Sequence, residues 1–327
     1  MAMKQGVISI VALIAPPRRD TQRCEIESEE MLMEETTIYF ILNGEAAADE
    51  ELRLLVKRLR KVGYEVEVRA TWESGHGVLY AREATRAGAD AVVACGGDGT
   101  LHEVLNGLMA FDERPMMSGL PYGTGNDFLS GIGVESGFAP LEFERWLELS
   151  PRSLDVGTVD GRYFLNMATA GSGAEISADA STEFKDIAGG LAYFVRAIPA
   201  AFDRPTRSAA ITTADFEWEG ELAFLFVGNG SQSGGGWSFC PAARLDDGLL
   251  DVVVVPERPL REMVRHAREM VQAESPGDYG PIIYRQVERL SVEFDEETPM
   301  NLDGEPCPGQ SFEFKIIPGA IRFLMPH

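Results

Sequence analysis

From Thr36 onward the chain switches between two hydrophobic periods. The run Ile38-Tyr39-Phe40-Ile41-Leu42 is continuously apolar and ends at Asn43-Gly44, as a buried strand does. Leu52, Leu55, Val56 and Leu59 then recur at helical spacing, Arg53, Lys57, Arg58 and Arg60 fill the other face, and Gly63 closes the helix. Tyr64, Val66 and Val68 alternate with Glu65, Glu67 and Arg69 as in a strand. A second helix is expected from about Val78 to Ala87, stopped by Gly88, followed by a buried strand at Ala91-Val92-Val93-Ala94. After the turn Gly96-Gly97-Asp98-Gly99-Thr100, Leu101, Val104, Leu105 and Leu108 give a helical face starting near Thr100. A strand from Met116 to Leu120 runs into a second turn, Pro121-Tyr122-Gly123-Thr124-Gly125-Asn126-Asp127. This βαβαβ rhythm predicts a parallel, doubly wound, Rossmann-like α/β sheet covered on both faces.

Beyond about Leu154 the rhythm becomes strands joined by Gly and Asp turns: Tyr163 to Met167, Glu221 to Val227, Leu249 to Val255 and Leu290 to Phe294. One helix, with Leu260, Met263, Val264, Ala267 and Val271 on its face, interrupts them. The pattern predicts a mainly antiparallel second domain, a β-sandwich. The expected organisation is an extension over residues 1–35, an α/β domain over 36–153 and the β-domain over 154–327. The last ~15 residues are expected to return to the first domain, with a cleft between the two.

Composition narrows the function classes. A formal net charge of −23 over 327 residues disfavours unspecific attraction to nucleic acid or to an anionic membrane surface. Any phosphate or lipid has to be met by a local site. Cys24, Cys95, Cys240 and Cys307 lie far apart without a C-x-x-C pair, so neither a disulfide framework nor a zinc site is indicated. No apolar run reaches the roughly 20 residues of a spanning helix. Gly6 to Ala15 imitates a short signal peptide after Lys4, but Pro16-Pro17-Arg18-Arg19 replaces the small-residue cleavage pattern. The expectation is a cytoplasmic protein, touching a membrane peripherally and briefly if at all.

The two glycine-rich turns carry the candidate chemistry. Gly96, Gly97 and Gly99 let backbone N–H groups face an anion, and the following helix presents its positive end to it. Asp98 suits such a site when a cation accompanies the phosphate, as in Mg-ATP. The turn at Gly123 to Asp127 repeats this logic at a neighbouring strand, and loops at the carboxyl ends of parallel strands can share one cleft. Neither turn has P-loop or dinucleotide-fingerprint spacing. Asn301-Leu302-Asp303-Gly304-Glu305-Pro306 offers two carboxylates for general-base work, although Asp-Gly is a strong hairpin-turn signal and the residues alone favour a turn with solvated acids. Arg244-Leu245-Asp246-Asp247-Gly248-Leu249-Leu250-Asp251 could offer oxygens to a hard divalent cation or be a plain solvated turn.

Taken together, these motifs closely resemble those of the bacterial diacylglycerol-kinase catalytic family, in particular its YegS-type lipid kinases. The likeness runs from about Thr36 to Pro326 and includes Leu42-Asn43-Gly44, Val68 to Glu73, GGDGT followed by Glu103, and PYGTGNDF. It continues through Phe164-Leu165-Asn166-Met167-Ala168-Thr169, Val227-Gly228-Asn229-Gly230, Gly234-Gly235-Gly236, LDDGLLD and NLDGEP. The resemblance implies an α/β domain related to those of NAD kinases and phosphofructokinases, then a β-sandwich. It implies ATP contacts at Thr71, Gly97, Asp98, Gly99, Thr100, Leu101, His102, Glu103 and Thr124. It further implies Glu305 as the proton acceptor, Asp303 as its support, and phosphatidylglycerol as acceptor, with diacylglycerol or a sphingoid lipid as alternatives. A structural Mg²⁺, or Ca²⁺ in its place, is implied on the LDDGLLD loop through the Asp247 side chain and the carbonyls of Arg244 and Leu249. His102 stands where the YegS-type motif often has Asn, and reads as a packing or solvent-facing residue that can still donate a hydrogen bond. An NAD-kinase-like enzyme and a non-catalytic ATP module are the rival readings; the acids Asp303 and Glu305 speak against the second.

Overall fold

The computed structural model describes residues 36–134, 137–171, 207–234 and 237–326. The expected extension, Cys24 and two of the three glycines at 234–236 therefore lie outside the described residues. The first strands follow the hydrophobic pattern closely. β1 (Thr37–Leu42) pairs in parallel with β2 (Glu65–Ala70) and β3 (Ala91–Gly96), and β3 pairs in parallel with β4 (Met116–Pro121). Between them run α1 (Gly44–Ala48), α2 (Glu50–Val62), α3 (His76–Arg86) and α4 (Asp98–Leu108). Asp49 caps α2 by accepting from the N–H groups of Glu51 and Leu52, and Gly63 ends it at a φ of 109°. Leu52, Leu55, Val56 and Leu59 are the face that α2 buries.

After the short α5 (Asp127–Gly131) and α6 (Phe143–Trp146), the chain becomes mainly antiparallel. β5 (Arg152–Val159), β6 (Arg162–Phe164) and β7 (Met167–Gly171) precede β8 (Arg207–Thr212) and β9 (Glu217–Gly228). A two-stranded ribbon of β10 (Gln232–Ser233) and β11 (Trp237–Ser238) follows. β12 (Leu250–Pro256), α7 (Leu260–Ala273), β13 (Gly277–Tyr279), β14 (Ile282–Val287) and β15 (Arg289–Thr298) complete the larger sheet. The chain closes with β16 (Met300–Leu302), β17 (Glu305–Pro306) and β18 (Gly309–Phe323). One expectation needs correcting. Tyr163 to Met167 is not a single strand but the end of β6 and the start of β7, interrupted at Leu165 and Asn166.

β18 joins the two halves. It pairs antiparallel with β15 and β5, and at its end Phe323 pairs in parallel with Met117 of β4. Leu324 continues the contact, its N–H donating to Met117 O and its carbonyl accepting from Ser118 Oγ at 2.7 Å. One core packs around β1, β3, β4 and α4, a second lies between β8, β9, β12, β15 and β18, and a third sits under α7, where Met263, Ala267 and Met270 meet Phe224, Val253 and Tyr284.

Candidate active site

The first glycine turn begins where β3 ends. Gly97 precedes α4, and the helix starts at Asp98 rather than at Thr100, so Asp98 stands in its first turn. A side chain at Gly96 has no space, since a Cβ there would lie 2.1 Å from Thr100 Oγ1. The second turn leaves β4 and meets the first backbone to backbone. A Cβ on Gly123 would stand 2.3 Å from the Cα of Gly97. Asn126, at a φ of 55°, locks this turn: its Oδ1 accepts the Gly123 N–H at 2.9 Å and its Nδ2 donates to the Gly123 carbonyl at 2.7 Å. Thr124 and Gly125 are exposed at its tip.

Asp98 ties the two turns together. Its Oδ2 accepts the Asp127 N–H at 3.0 Å and its Oδ1 the Phe128 N–H at 3.1 Å. Burial, reinforced by the charges of Asp127 and Asp303, pushes its carboxyl up to about 6 against the pull of those two N–H groups. The residue expected to accompany a cation is therefore also the brace of the cradle.

The DGE segment is a hairpin, and its turn is part of the site. Leu302 pairs with Glu305 across β16 and β17, while Asp303 and Gly304 take φ values of 51° and 99°. Two successive positive φ values are what a two-residue I′ turn requires. Asp303 is buried there, its Oδ2 accepting from Leu165 N at 2.7 Å and its Oδ1 from Asn166 N and Met167 N, both at 2.9 Å. This explains the break between β6 and β7: Leu165 and Asn166 direct their N–H groups at Asp303 instead of a neighbouring strand. Asn229, wholly buried, donates to the carbonyls of Asp155 and Leu165 at 3.0 and 2.6 Å, and the Asn166 carbonyl accepts from Asn229 N and Gly230 N. The segments FLNM and VGNG thus build the seat of the DGE turn. The result is that Glu305 reaches the cradle: its Oε1 lies 3.0 Å from where a Cβ on Gly99 would be.

The remaining expected residues divide by place. Thr71 leaves the end of β2 with its N–H and Oγ1 both on the Leu42 carbonyl, at 2.7 and 3.0 Å. Glu103 turns toward that loop, accepting from Gly75 N at 2.6 Å and Gly77 N at 2.7 Å, so it fastens the loop carrying Thr71 to α4. Leu101 is buried in the core and offers the cradle only its backbone. His102 faces the DGE turn, 3.6 Å from Asp303. Asn166 and Asn229 were visible in their motifs but carried no assigned role. Their signal was a polar residue between apolar strand segments.

The LDDGLLD loop sits apart, hydrogen-bonded to β5, whose Asp155 also takes an N–H from β18. Asp155 accepts from Gly248 N through Oδ2 and from Gly319 N through Oδ1, both at 2.7 Å. Asp247 Oδ1 accepts from Leu249 N at 3.1 Å; burial and the charges of Asp155 and Asp246 push its carboxyl up. A cavity of about 770 Å³ opens here, lined by Asp155, Asp246, Asp247, Glu288 and Lys315 among others. Among the described residues no group of three or more His, Cys, Asp or Glu side chains forms a metal cluster. One carboxylate with two carbonyls is nevertheless a hard-oxygen donor set of the kind Mg²⁺ or Ca²⁺ accepts.

Residues 37–159 match the diacylglycerol kinase catalytic domain, and residues 166–325 match the YegS C-terminal NAD kinase beta sandwich-like domain. The chain belongs to this family of lipid kinases. A protein of Chromohalobacter salexigens named "Probable lipid kinase YegS-like" is 39% identical over 88% of this chain and 93% of its own length. A protein of the same name from Pseudomonas aeruginosa strain PAO1 is 37% identical over 90% and 96%. A crystal structure of a diacylglycerol kinase from Bacillus anthracis shares the fold with a TM-score of 0.69 at 22% identity, covering 89% of this chain and 97% of that one. The family's two matched domains meet at the site just described: the cradle comes from the first, the DGE turn and most of its seat from the second, with Leu165 lying just before that second domain.

Proposed function

We propose that the protein transfers the γ-phosphoryl group of ATP to a lipid hydroxyl, with Glu305 taking the proton. The observation that carries this reading is the Glu305 carboxylate standing over Gly99, at the open face of a cradle made from two glycine turns. The phosphates would lie along the N–H groups from Gly97 to Thr100 and at Thr124. The hydroxyl oxygen attacks the γ-phosphorus, its proton passes to a Glu305 oxygen, the bond to the β-phosphate breaks, and ADP leaves. Asp303 holds the turn that aims Glu305. Mg²⁺ accompanying ATP would offset the phosphate charge beside Asp98, and a structural Mg²⁺ or Ca²⁺ would be held by Asp247 and the carbonyls of Arg244 and Leu249.

For the acceptor we favour phosphatidylglycerol over diacylglycerol or a sphingoid lipid. A cavity of about 390 Å³ is walled by Phe128, Ile132 and Met325 and bordered by Arg152, Arg244 and Asp246, whose carboxylate pairs with Arg152 at 2.9 Å and with Arg244 at 3.4 Å. Two guanidinium groups that share one carboxylate beside an apolar wall leave a net positive charge, which suits an anionic head group followed by acyl chains. Among the described residues no helix is long and apolar enough to cross a membrane. The lipid would therefore be met by transient peripheral contact.

A panel of lipid vesicles with labelled ATP tests the reading, with NAD as the soluble rival acceptor. Label should enter phosphatidylglycerol most rapidly and NAD not at all. In Glu305→Gln, turnover should fall by about 100-fold or more while the circular dichroism spectrum and Mg-ATP binding stay the same. A folded variant with full turnover would remove Glu305 from the proton step.

A further inference from the structure

His102 lies one helical turn after Asp98 on α4, which places both on one face of the helix. Its side chain is 12% exposed, and its Nδ1 is buried without a hydrogen-bond partner, 3.6 Å from Asp303 Oδ2. That separation is too long for a hydrogen bond, and leaving a buried donor or acceptor unsatisfied costs about 1–3 kcal/mol. The facing oxygen has spare capacity. Asp303 Oδ1 already accepts two N–H groups, from Asn166 and Met167, whereas Oδ2 accepts only that of Leu165. A carboxylate pair has about four acceptor positions, so the vacant one lies on the atom nearest the imidazole.

The backbone around His102 is fixed. Its carbonyl accepts from Asn106 Nδ2 at 2.8 Å, and the same amide side chain binds both the N–H and the carbonyl of Tyr163, at 3.0 and 2.9 Å. α4 is thereby bolted to β6, just before the residues that seat Asp303. What can close the gap is the imidazole ring or the hairpin turn opposite it.

We propose that His102 is a positioning residue whose Nδ1–H is the fourth donor to Asp303, made when the DGE turn closes by about 0.5 Å onto α4 as nucleotide fills the cradle. The bond fixes the turn, and so fixes Glu305 over Gly99. The kinetic arm of its test rests on the proposed lipid kinase reading; the spectroscopic arm does not.

The full chain contains four histidines, so selective ¹⁵N-histidine labelling gives a spectrum in which His102 is assigned by its loss in His102→Gln. At a pH where the ring is neutral, His102 Nδ1 should resonate as a protonated nitrogen and shift when Mg-ADP is added. A bare, acceptor-type Nδ1 both with and without Mg-ADP would overturn the proposal. In kinetics on phosphatidylglycerol vesicles, His102→Phe keeps the ring shape and removes the donor. It should lower kcat about tenfold with KM for ATP within about twofold, and His102→Gln, which retains a donor, should recover most of the loss. An unchanged kcat in His102→Phe, or a matching loss in both variants with a raised KM, would assign the residue to packing of the glycine turn instead. Should the wild-type protein phosphorylate none of the lipids, the functional reading fails while the nitrogen spectrum still decides the role of His102.

Discussion

The two glycine turns and the DGE turn face one corner of the molecule, but different contacts hold them. At Gly97 and Gly123 backbone meets backbone, with no side chain between. At Asp303 one carboxylate gathers three N–H groups from a chain segment well over a hundred residues earlier. The first contact tolerates no added volume. The second tolerates no lost acceptor.

The largest effect is therefore expected at the carboxylate. Asp303→Ala leaves three buried N–H groups without their acceptor and should destabilise the fold by about 3–5 kcal/mol, read as a lower denaturant midpoint. Asp303→Asn keeps one acceptor oxygen and should fall between; a wild-type midpoint in the alanine variant would show that the seat is held by something else. Next comes Gly123→Ala, whose methyl group would meet the Gly97 Cα at 2.3 Å. Backbone cannot swing aside as a side chain can, so a loss of about 1–3 kcal/mol is expected together with loss of nucleotide binding, measured by calorimetry. Gly99→Ala separates the two kinds of contact. Its methyl group meets only the mobile end of Glu305, at 3.0 Å. Stability should stay within about 0.5 kcal/mol while lipid phosphorylation drops about tenfold, because the carboxylate is displaced without disturbing the cradle. Equal destabilisation by both alanines would erase the distinction.

The same contrast explains what could be read from sequence. The cradle is local: strand, turn and helix follow one another at Ala91 to Leu108 and strand and turn again at Met116 to Asp127, and apolar periodicity with glycine spacing reveals each, though not the short α5 that follows the second turn. The helix start was displaced by two residues only because Asp98 joins the first turn of α4 while its side chain reaches Asp127 and Phe128. The DGE turn is different. Residue pattern alone favours a hairpin at Asp303-Gly304 with solvated acids over a general base, a preference that only the resemblance reverses; the hairpin is there, but Asp303 is buried rather than solvated. Nothing local in Leu165-Asn166 announces that their N–H groups leave the strand ladder for a carboxylate far along the chain. The error at Tyr163 to Met167 and the unassigned roles of Asn166 and Asn229 arise from that one non-local contact.

Asp251 offers the smallest and most discriminating effect, because it is a buried carboxyl without Asp303's set of backbone donors. It lies fully buried on β12, where the Tyr284 hydroxyl donates to its Oδ1 and Gln286 Nε2 stands 3.3 Å from both oxygens. Burial outweighs these hydrogen bonds and pushes its carboxyl from 3.8 to about 7. The folded state thus holds the proton more tightly than the unfolded chain. The stability linked to it is complete below the unfolded value and is lost as pH rises through the folded value, across roughly pH 4 to 7. Asp251→Asn keeps an acceptor for Tyr284 and removes the titration. Its Tm should differ from wild type by only about 2–4 °C near pH 5, and its stability should decline less between pH 5 and 8. Parallel pH profiles for the two proteins would mean that Asp251 stays ionised in its pocket, stabilised as effectively by a phenol and an amide as Asp303 is by three backbone N–H groups.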